Sequence, residues 1–318
     1  MARVLVTGAA GFVGANFVRF LLARGEDDIV VFLRDQSNRW RINDIEKKLH
    51  IIPLDLCKTD AIAHAIKKID PAIVYHFATY GGYPAQYDVP TIVKTNVLGS
   101  YALMEGLGEA PSFKRLINIG SSSEYGSTFP MQEKMLIAPN TPYGIAKAAQ
   151  TFFAQYVSRY RNVPAVTLRF FSVYGPYEKP GRLICDTMLA MVRNQTLTLS
   201  SPDTRRDFIY IEDIISALQQ AREVPGIEGE VFNVGYGVDY SIGDAVRLAT
   251  TIAGKTVPIK WGVAEKKRIF DANAKWVADI SKAHQGLDWR PRYSFTQGLQ
   301  KTYQWYCDHM NLYEHSTH

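Results

Sequence analysis

Cysteine is scarce in this chain. Three occur in 318 residues, Cys57, Cys185 and Cys307, an odd number at wide spacing. No CxxC pair and no Cys/His cluster is present, so neither a disulfide framework nor a metal site is indicated. That usage fits a reducing, cytoplasmic compartment. Long apolar runs are also missing. The longest fall far short of the ~20 residues that cross a bilayer, so no membrane partner is expected. The opening MARVLVTG lacks the length and cleavage pattern of a signal peptide and runs straight into a strand. Charge of one sign is not concentrated anywhere. The 36 basic and 31 acidic residues leave a diffuse +5 and a pI near 8.9. A nucleic-acid binder gathers its excess on one stripe, so no nucleic acid is expected. The mild positive balance suits an anionic small molecule as well as anything larger. No repeat of fixed period is visible.

What is present is an ordinary globular mix, 47% apolar and 21% charged. The length implies about two domains, at about 100–200 residues each, or one large α/β unit with an addition. Short apolar segments read as strands at 3–7, 28–33, 49–54, 72–76, 115–120 and 163–170. Helical patterns fall between them at about 12–24, 59–68, 90–108 and 141–160. Strands alternating with helices predict a parallel, doubly wound α/β sheet, because parallel neighbours need crossover helices. After about residue 172 the pattern is broken by Gly175-Pro176, Pro180-Gly181, Pro225-Gly226 and Pro291. The expectation is a Rossmann-type domain over 1–171 and a smaller substrate-facing domain over 172–318. Part of the second half is expected to return to the first.

The first strand ends in Thr7-Gly8-Ala9-Ala10-Gly11-Phe12-Val13-Gly14. Between a strand and a helix, Gly8 permits a tight turn and Gly11 lets backbone N–H groups approach a pyrophosphate. Gly14 lets the helix pack closely on the strand. This context indicates a dinucleotide site. Arg34, at the end of the second strand, suits the 2′-phosphate of NADP. Asp35, one position later, leaves NAD as the alternative. Arg39 and Arg41 also read as a solvated charged loop. Asp55, in Pro53-Leu54-Asp55-Leu56, could accept the adenine amino group or cap the next helix.

Two further segments carry chemistry. Gly120-Ser121-Ser122-Ser123-Glu124-Tyr125-Gly126 follows a strand, and Tyr143-Gly144-Ile145-Ala146-Lys147 opens a long helix. Tyr143 and Lys147, four apart, share one helical face. A tyrosine of ordinary pKa near ~10 is a poor base at neutral pH. An ammonium beside it favours the phenolate. The phenol can then move a proton at a substrate hydroxyl, and a serine can hold the same oxygen.

With these segments in place, the chain resembles an extended short-chain dehydrogenase/reductase of the nucleotide-sugar epimerase/dehydratase type. TGAAGFVG, PLDL, YHFAT, NVLGSYALME, INIGSSSEYG, PYGIAK, LRFFSVYGP, RRDFIYIEDI, FNVG and WVADISKAHQGLDW carry the resemblance over nearly the whole length. It implies that Tyr143 is the acid/base and that Lys147 also binds the nicotinamide ribose. Ser121 would contact the sugar oxygen being oxidised or reduced. Phe12, Val13, Leu56, Ala78 and Phe170 join the cofactor contacts. Arg206 and Arg268 match positions that hold the substrate pyrophosphate, with Arg182 a further candidate. Thr79, Tyr80 and Tyr83 would line the sugar pocket, and Asn96 would steady the backbone beside it. His76 reads as a packed structural histidine. Helices at 90–108 and 141–160, apolar all round, match a four-helix homodimer interface. Trp289, Trp305 and the nearby tyrosines read as packing residues.

Three departures from the pattern bear on the reaction. The dehydratases carry acids at Ser122 and Ser123, and here both are serines; Glu124 lies one step too far. Ser172 stands where epimerases and dehydratases usually have an asparagine that binds the diphosphate. Serine there resembles branches that include 4-keto-6-deoxyhexose reductases, and Arg34 points to NADPH. The expectation is reduction of an NDP-4-keto-6-deoxyhexose. A 4-epimerase with tightly bound NAD is the alternative. A dehydratase and a non-catalytic dinucleotide module rank behind both.

Overall fold

The computed structural model describes residues 2–83, 85–127, 129–262 and 275–314. Its first half is built from β1 (Val4–Thr7), α1 (Phe12–Ala23), β2 (Ile29–Leu33), β3 (His50–Pro53), α2 (Thr59–Ile69) and β4 (Ile73–His76). There follow α3 (Val89–Val93), α4 (Ser100–Leu107), β5 (Arg115–Ser121), α5 (Pro142–Tyr160) and β6 (Ala165–Phe170). The remainder comprises β7 (Ser172–Tyr174), α6 (Leu183–Arg193), β8 (Leu197–Thr198), β9 (Arg205–Tyr210) and α7 (Ile211–Glu223). It ends with β10 (Val231–Val234), β11 (Asp239–Ser241), α8 (Ile242–Ala253), β12 (Ile259–Lys260), α9 (Ser281–Leu287) and α10 (Phe295–Asp308).

Seven strands form one parallel sheet in the order β10-β6-β5-β4-β1-β2-β3. This is the doubly wound α/β arrangement. Strands β1, β2, β4 and β6 are buried along their length because helices cover both faces, which is why they read as continuous apolar runs. One face packs on α1 and α7, the other on α2, α4 and α5. Strand β10, from the second half of the chain, closes the sheet beside β6. The strand order reverses between β1 and β4, and the crevice at that reversal is where such sheets bind ligands. Both segments that follow these strands, the glycine loop and 77–83, open there. Two small sheets, β11-β9-β7 and β12-β8, stand apart from the main one.

The 90–108 helix differs from its expected form. It begins at Val89, where Asp88 caps Thr91 N–H, and passes through a π turn at Lys94–Gly99 before α4. Inside the turn, Asn96 bonds both backbone groups of Tyr80, and a Cβ on Gly99 would lie 2.5 Å from the Leu56 carbonyl oxygen. Such turns insert where a side chain must be re-aimed. Here the insertion turns Asn96 onto the loop after β4.

His76 lies wholly inside. Its Nδ1 meets Thr7 Oγ1 at 2.7 Å and its Nε2 meets Ser100 Oγ at 2.8 Å. Burial, aided by the Lys147 charge, lowers its pKa to about 3. A histidine that stays neutral when folded, yet takes a proton when unfolded, stabilises the fold above its unfolded pKa. That stabilisation falls by about 1.4 kcal/mol per pH unit below ~6.5. The expected result in a proton NMR titration is one histidine whose ring signals stay at their neutral positions from pH 8 to 5. A full complement of titrating histidines would contradict the buried placement.

Candidate active site

The glycine loop is a cradle only glycine fits. Gly8 has a φ of +72°, and a Cβ there would meet Ala78 N at 2.6 Å. A Cβ on Gly14 would meet the Gly8 carbonyl oxygen at 2.3 Å. The close approach brings the first turn of α1 up to the loop, where Phe12 and Val13 pack half-buried against the core. The loop therefore fits a dinucleotide pyrophosphate. Ala78 lies beside it, its N–H donating to Thr7 Oγ1 at 3.2 Å. Leu56 and Phe170 are buried. Arg34 is exposed at the end of β2, beside exposed Asp35.

Three readings of this region need correction. Arg39 is not simply solvated; it pairs with Glu46 at 2.5 Å. Arg41 is buried, donates to Tyr177 O at 2.7 Å and to Ala10 O at 3.3 Å, and lies over the Trp40 ring. It ties the glycine loop to the segment after β7, where Asn16 also donates to Pro176 O at 2.9 Å. Asp55 does not cap α2, whose N-cap is Lys58; its carboxylate accepts Cys57 N–H at 2.9 Å and holds the turn before the helix.

The serine run forms a single 3-10 turn, Ser122–Glu124, capped by Ser121. Ser121 Oγ accepts Ser123 N–H at 3.1 Å, and its own N–H donates to Glu124 Oε1 at 2.7 Å. Helix α5 starts at Pro142, with Thr141 accepting Gly144 N–H at 3.0 Å. This start points Tyr143 at the Ser121 and Thr79 hydroxyls. Burial pushes the Tyr143 phenol up, while Arg182, Ser121 and Thr79 pull it down. Arg182 is thus a second cation near Tyr143, one that the Tyr143–Lys147 spacing did not reveal. Lys147 is buried, and its ammonium donates to Ile119 O and to Gln150 Oε1 at 2.5 Å. Gln150 passes the chain to Asn118 at 2.8 Å, and Asn118 to Thr167 at 3.0 Å. Burial lowers the Lys147 pKa to about 8 against the opposing pull of Glu124. Gln150 and Asn118 were missed from the sequence. Gln150, three residues after Lys147 on one face, carried the only local signal.

Glu124 lies wholly inside. Its second oxygen accepts Arg169 Nε at 2.8 Å, and both side chains are buried. Arg169 also donates to Tyr125 OH at 3.1 Å.

On the substrate side, Arg182 donates to Gly82 O and lies 4.7 Å from the centre of the Tyr83 ring. Lys179 faces the same ring at 5.4 Å. Tyr80, Ser123 and Ser172 are half-buried. Ser122 is buried under Trp276, whose indole N–H donates to it at 3.1 Å. Arg206 belongs to β9, with its guanidinium 5.2 Å from the Trp276 ring centre. Arg268 lies outside the described residues. Among the described residues, no group of three or more His, Cys, Asp or Glu side chains could hold a metal ion. No described helix is long and apolar enough to cross a membrane.

The Glu124–Arg169 pair predicts a specific stability result. Glu124→Gln leaves a buried guanidinium without its counter-charge, a loss of about 3–5 kcal/mol. Glu124→Leu combined with Arg169→Met removes both charges and should recover most of it. Urea unfolding of the three proteins decides; a single variant as stable as wild type would contradict the burial of the pair.

Comparison with known proteins places this geometry. The profile of a family described as GDP-mannose 4,6 dehydratase matches residues 5–302. The dTDP-glucose 4,6-dehydratase of Salmonella typhimurium is 26% identical over 334 aligned positions, covering 96% of this chain and 92% of the relative. The UDP-glucuronate 4-epimerase of Thermodesulfobacterium geofontis is 27% identical, covering 98% of each chain. A solved UDP-glucuronic acid 4-epimerase of Bacillus cereus, in complex with UDP-glucuronic acid and NAD, matches with a TM-score of 0.84 and 28% identity. That match covers 95% of this chain and 98% of that one. Glycine loop, serine turn, Tyr143 and Lys147 all fall inside the matched stretch. The chain therefore belongs to the nucleotide-sugar epimerase/dehydratase family of extended short-chain dehydrogenase/reductases, and it is an enzyme of that type.

Proposed function

We propose that the enzyme is an NAD-dependent 4-epimerase of a nucleotide-diphosphate hexose. The observation that carries this reading is the state of the catalytic turn. Ser121 and Tyr143 converge there, while its one carboxylate, Glu124, is locked beneath it by Ser121 N–H and Arg169. Removal of water from the sugar needs an acid and a base beside the reacting carbons. Ser122 and Ser123 supply hydroxyls in their place. The 4-epimerase relatives, and the NAD held by the solved neighbour, support the same choice.

A bound nicotinamide would take a hydride from C4 and return it to the opposite face. The chain's own residues do the rest. Tyr143 takes the proton of the C4 hydroxyl and gives it back. Ser121 holds that oxygen. Lys147, fixed by Ile119 O and Gln150, places positive charge beneath the site and beside the nicotinamide ribose. Arg206 and Arg182 hold the diphosphate, and Tyr80, Tyr83 and Ser172 flank the sugar. A second reading, reduction of a 4-keto sugar with NADPH, draws on the exposed Arg34 at the end of β2.

We also propose a homodimer. Val89, Val93 and Leu98 on the α3–α4 helix and Ile145, Phe152, Tyr156 and Tyr160 on α5 stand exposed, a set too apolar for a solvated face. A second copy laying the same two helices against these would cover them, as a two-fold interface requires.

Denaturing the purified protein and chromatographing the released nucleotide tests the cofactor. Near-stoichiometric NAD is expected, whereas empty protein that prefers NADPH would favour the reductase. Incubation with UDP-glucose, UDP-glucuronate and dTDP-glucose should then yield a C4 epimer of unchanged mass. A product lighter by one water would overturn the proposal. Tyr143→Phe should lower kcat by about 10²–10⁴. Phe152→Glu with Tyr156→Glu should halve the mass seen in sedimentation, and an unchanged mass would exclude this face as the interface.

A further inference from the structure

Beyond Lys147, three polar side chains lie buried between α5 and the sheet, and they form a line. Lys147 Nζ donates to Gln150 Oε1 at 2.5 Å, Gln150 Nε2 to Asn118 Oδ1 at 2.8 Å, and Asn118 Nδ2 to Thr167 Oγ1 at 3.0 Å. All four residues are buried. Asn118 and Thr167 are register partners on β5 and β6, so the line runs from the helix across two strands. A buried amide without a partner costs stability, so such a line persists only where its bonds are made. The proposed proton transfer uses Lys147 and leaves the other three without a role.

The line has a direction. An ammonium can only donate, so it takes the Gln150 oxygen. The Gln150 nitrogen is left for Asn118, which presents its own oxygen and turns its nitrogen to Thr167. A hydroxyl gives or accepts, so only the Thr167 end is indifferent. Gln150 therefore sets the negative end of an amide dipole against the Lys147 charge. Among the described residues, the other charged or titratable groups around Lys147 are Glu124 on the 3-10 turn, with Arg169 of β6 behind it, and neutral His76 on β4. Tyr143 lies four residues away on the same helix face. Burial opposes the Lys147 charge and Glu124 favours it. We propose that Gln150 is a positioning residue that keeps Lys147 charged and in place, its amide held in one orientation by Asn118 and Thr167. The inference rests on the proposed function, in which the Lys147 charge serves the reaction.

Two substitutions give opposite signs. Gln150→Leu removes the acceptor, and Gln150→Glu replaces it with a counter-charge. The second keeps the line, because Asn118 can turn its amide and Thr167 can donate, so it tests the proposal even where Gln150→Leu unfolds. The Lys147 titration is read in the holoenzyme by NMR of isotope-labelled lysine Cε, assigned by the signal lost in Lys147→Arg. Loss of one hydrogen bond to a charged group should lower the midpoint by about one pH unit in Gln150→Leu, and Gln150→Glu should raise it by about as much. The charged form lies below the midpoint, so turnover should fail at lower pH in Gln150→Leu. With the wild-type midpoint at about 8, its turnover should be about fivefold below wild type at pH 8 and within about twofold at pH 6. One midpoint shared by all three proteins, shifts of the same sign, or a turnover defect equal at both pH values would overturn the proposal and leave Gln150 as packing. Wild-type protein that converts none of UDP-glucose, UDP-glucuronate and dTDP-glucose would overturn the functional reading instead. The lysine titration would then still decide the role of Gln150.

Discussion

Two opposite charges sit out of water directly beneath the catalytic turn, and much of the site hangs on them. Taking each ion from water costs several kcal/mol, so a buried pair survives only where its hydrogen-bonding capacity is used. Here it is. Glu124 takes Ser121 N–H and Arg169 Nε, and Arg169 also reaches Tyr125 OH and lies over that ring at 4.8 Å. Tyr125 donates to Asn233 of β10 at 2.8 Å, and the Asn233 amide reaches Met131 O and Asp279 O. One ion pair thus links β5, β6, β10 and the 275–280 segment to the turn that carries Ser121. The link also fixes a neighbour's identity, because a Cβ on Gly120 would stand 2.7 Å from Glu124 Oε1.

This placement decides what the turn can do. An acid one position beyond the serines could in principle have swung into the crevice. The 3-10 turn hands it instead to Arg169 Nε and Ser121 N–H, which occupy both of its oxygens. A carboxylate so held is neither a donor nor a base toward substrate. Its charge still reaches the site, since it opposes the loss of the Lys147 proton that burial favours. Glu124 therefore acts on the site through position and field, and in the proposed function proton movement falls to Tyr143.

The parts of this arrangement visible in the sequence are those that repeat or sit close together. Parallel strands buried on both faces, the glycine loop and the Tyr143–Lys147 spacing all leave local traces. The π turn in the α3–α4 helix left none, because it comes from Asn96 reaching a backbone sixteen residues away. Arg41 looked solvated for a related reason. Its partner Tyr177 lies 136 residues on, and a basic side chain among polar neighbours carries no sign of that. Trp276 and Ser122 are 154 residues apart, and Glu124 and Arg169 are 45. Pairings of this kind are made by the crossing of elements, which one sequence does not display. Arg34 shows the converse. It was legible as a cation at the right strand end, and the fold leaves it exposed there.

The groups proposed around the reacting oxygen are fixed in advance: Ser121 by the Ser123 and Glu124 bonds, Tyr143 by the capped start of α5, Lys147 by Ile119 O and Gln150. Groups fixed in advance lose little freedom when reaction begins, which is what electrostatic stabilisation of a changing charge requires. The arginines proposed for the diphosphate are held as well. Arg182 donates to Gly82 O and lies on the Tyr83 ring, and Arg206 donates to Arg205 O at 2.5 Å and lies on the Trp276 ring. Groups fixed in advance around one oxygen are a physical basis on which a scaffold can keep its reaction at a sugar carbon while its nucleotide and sugar change.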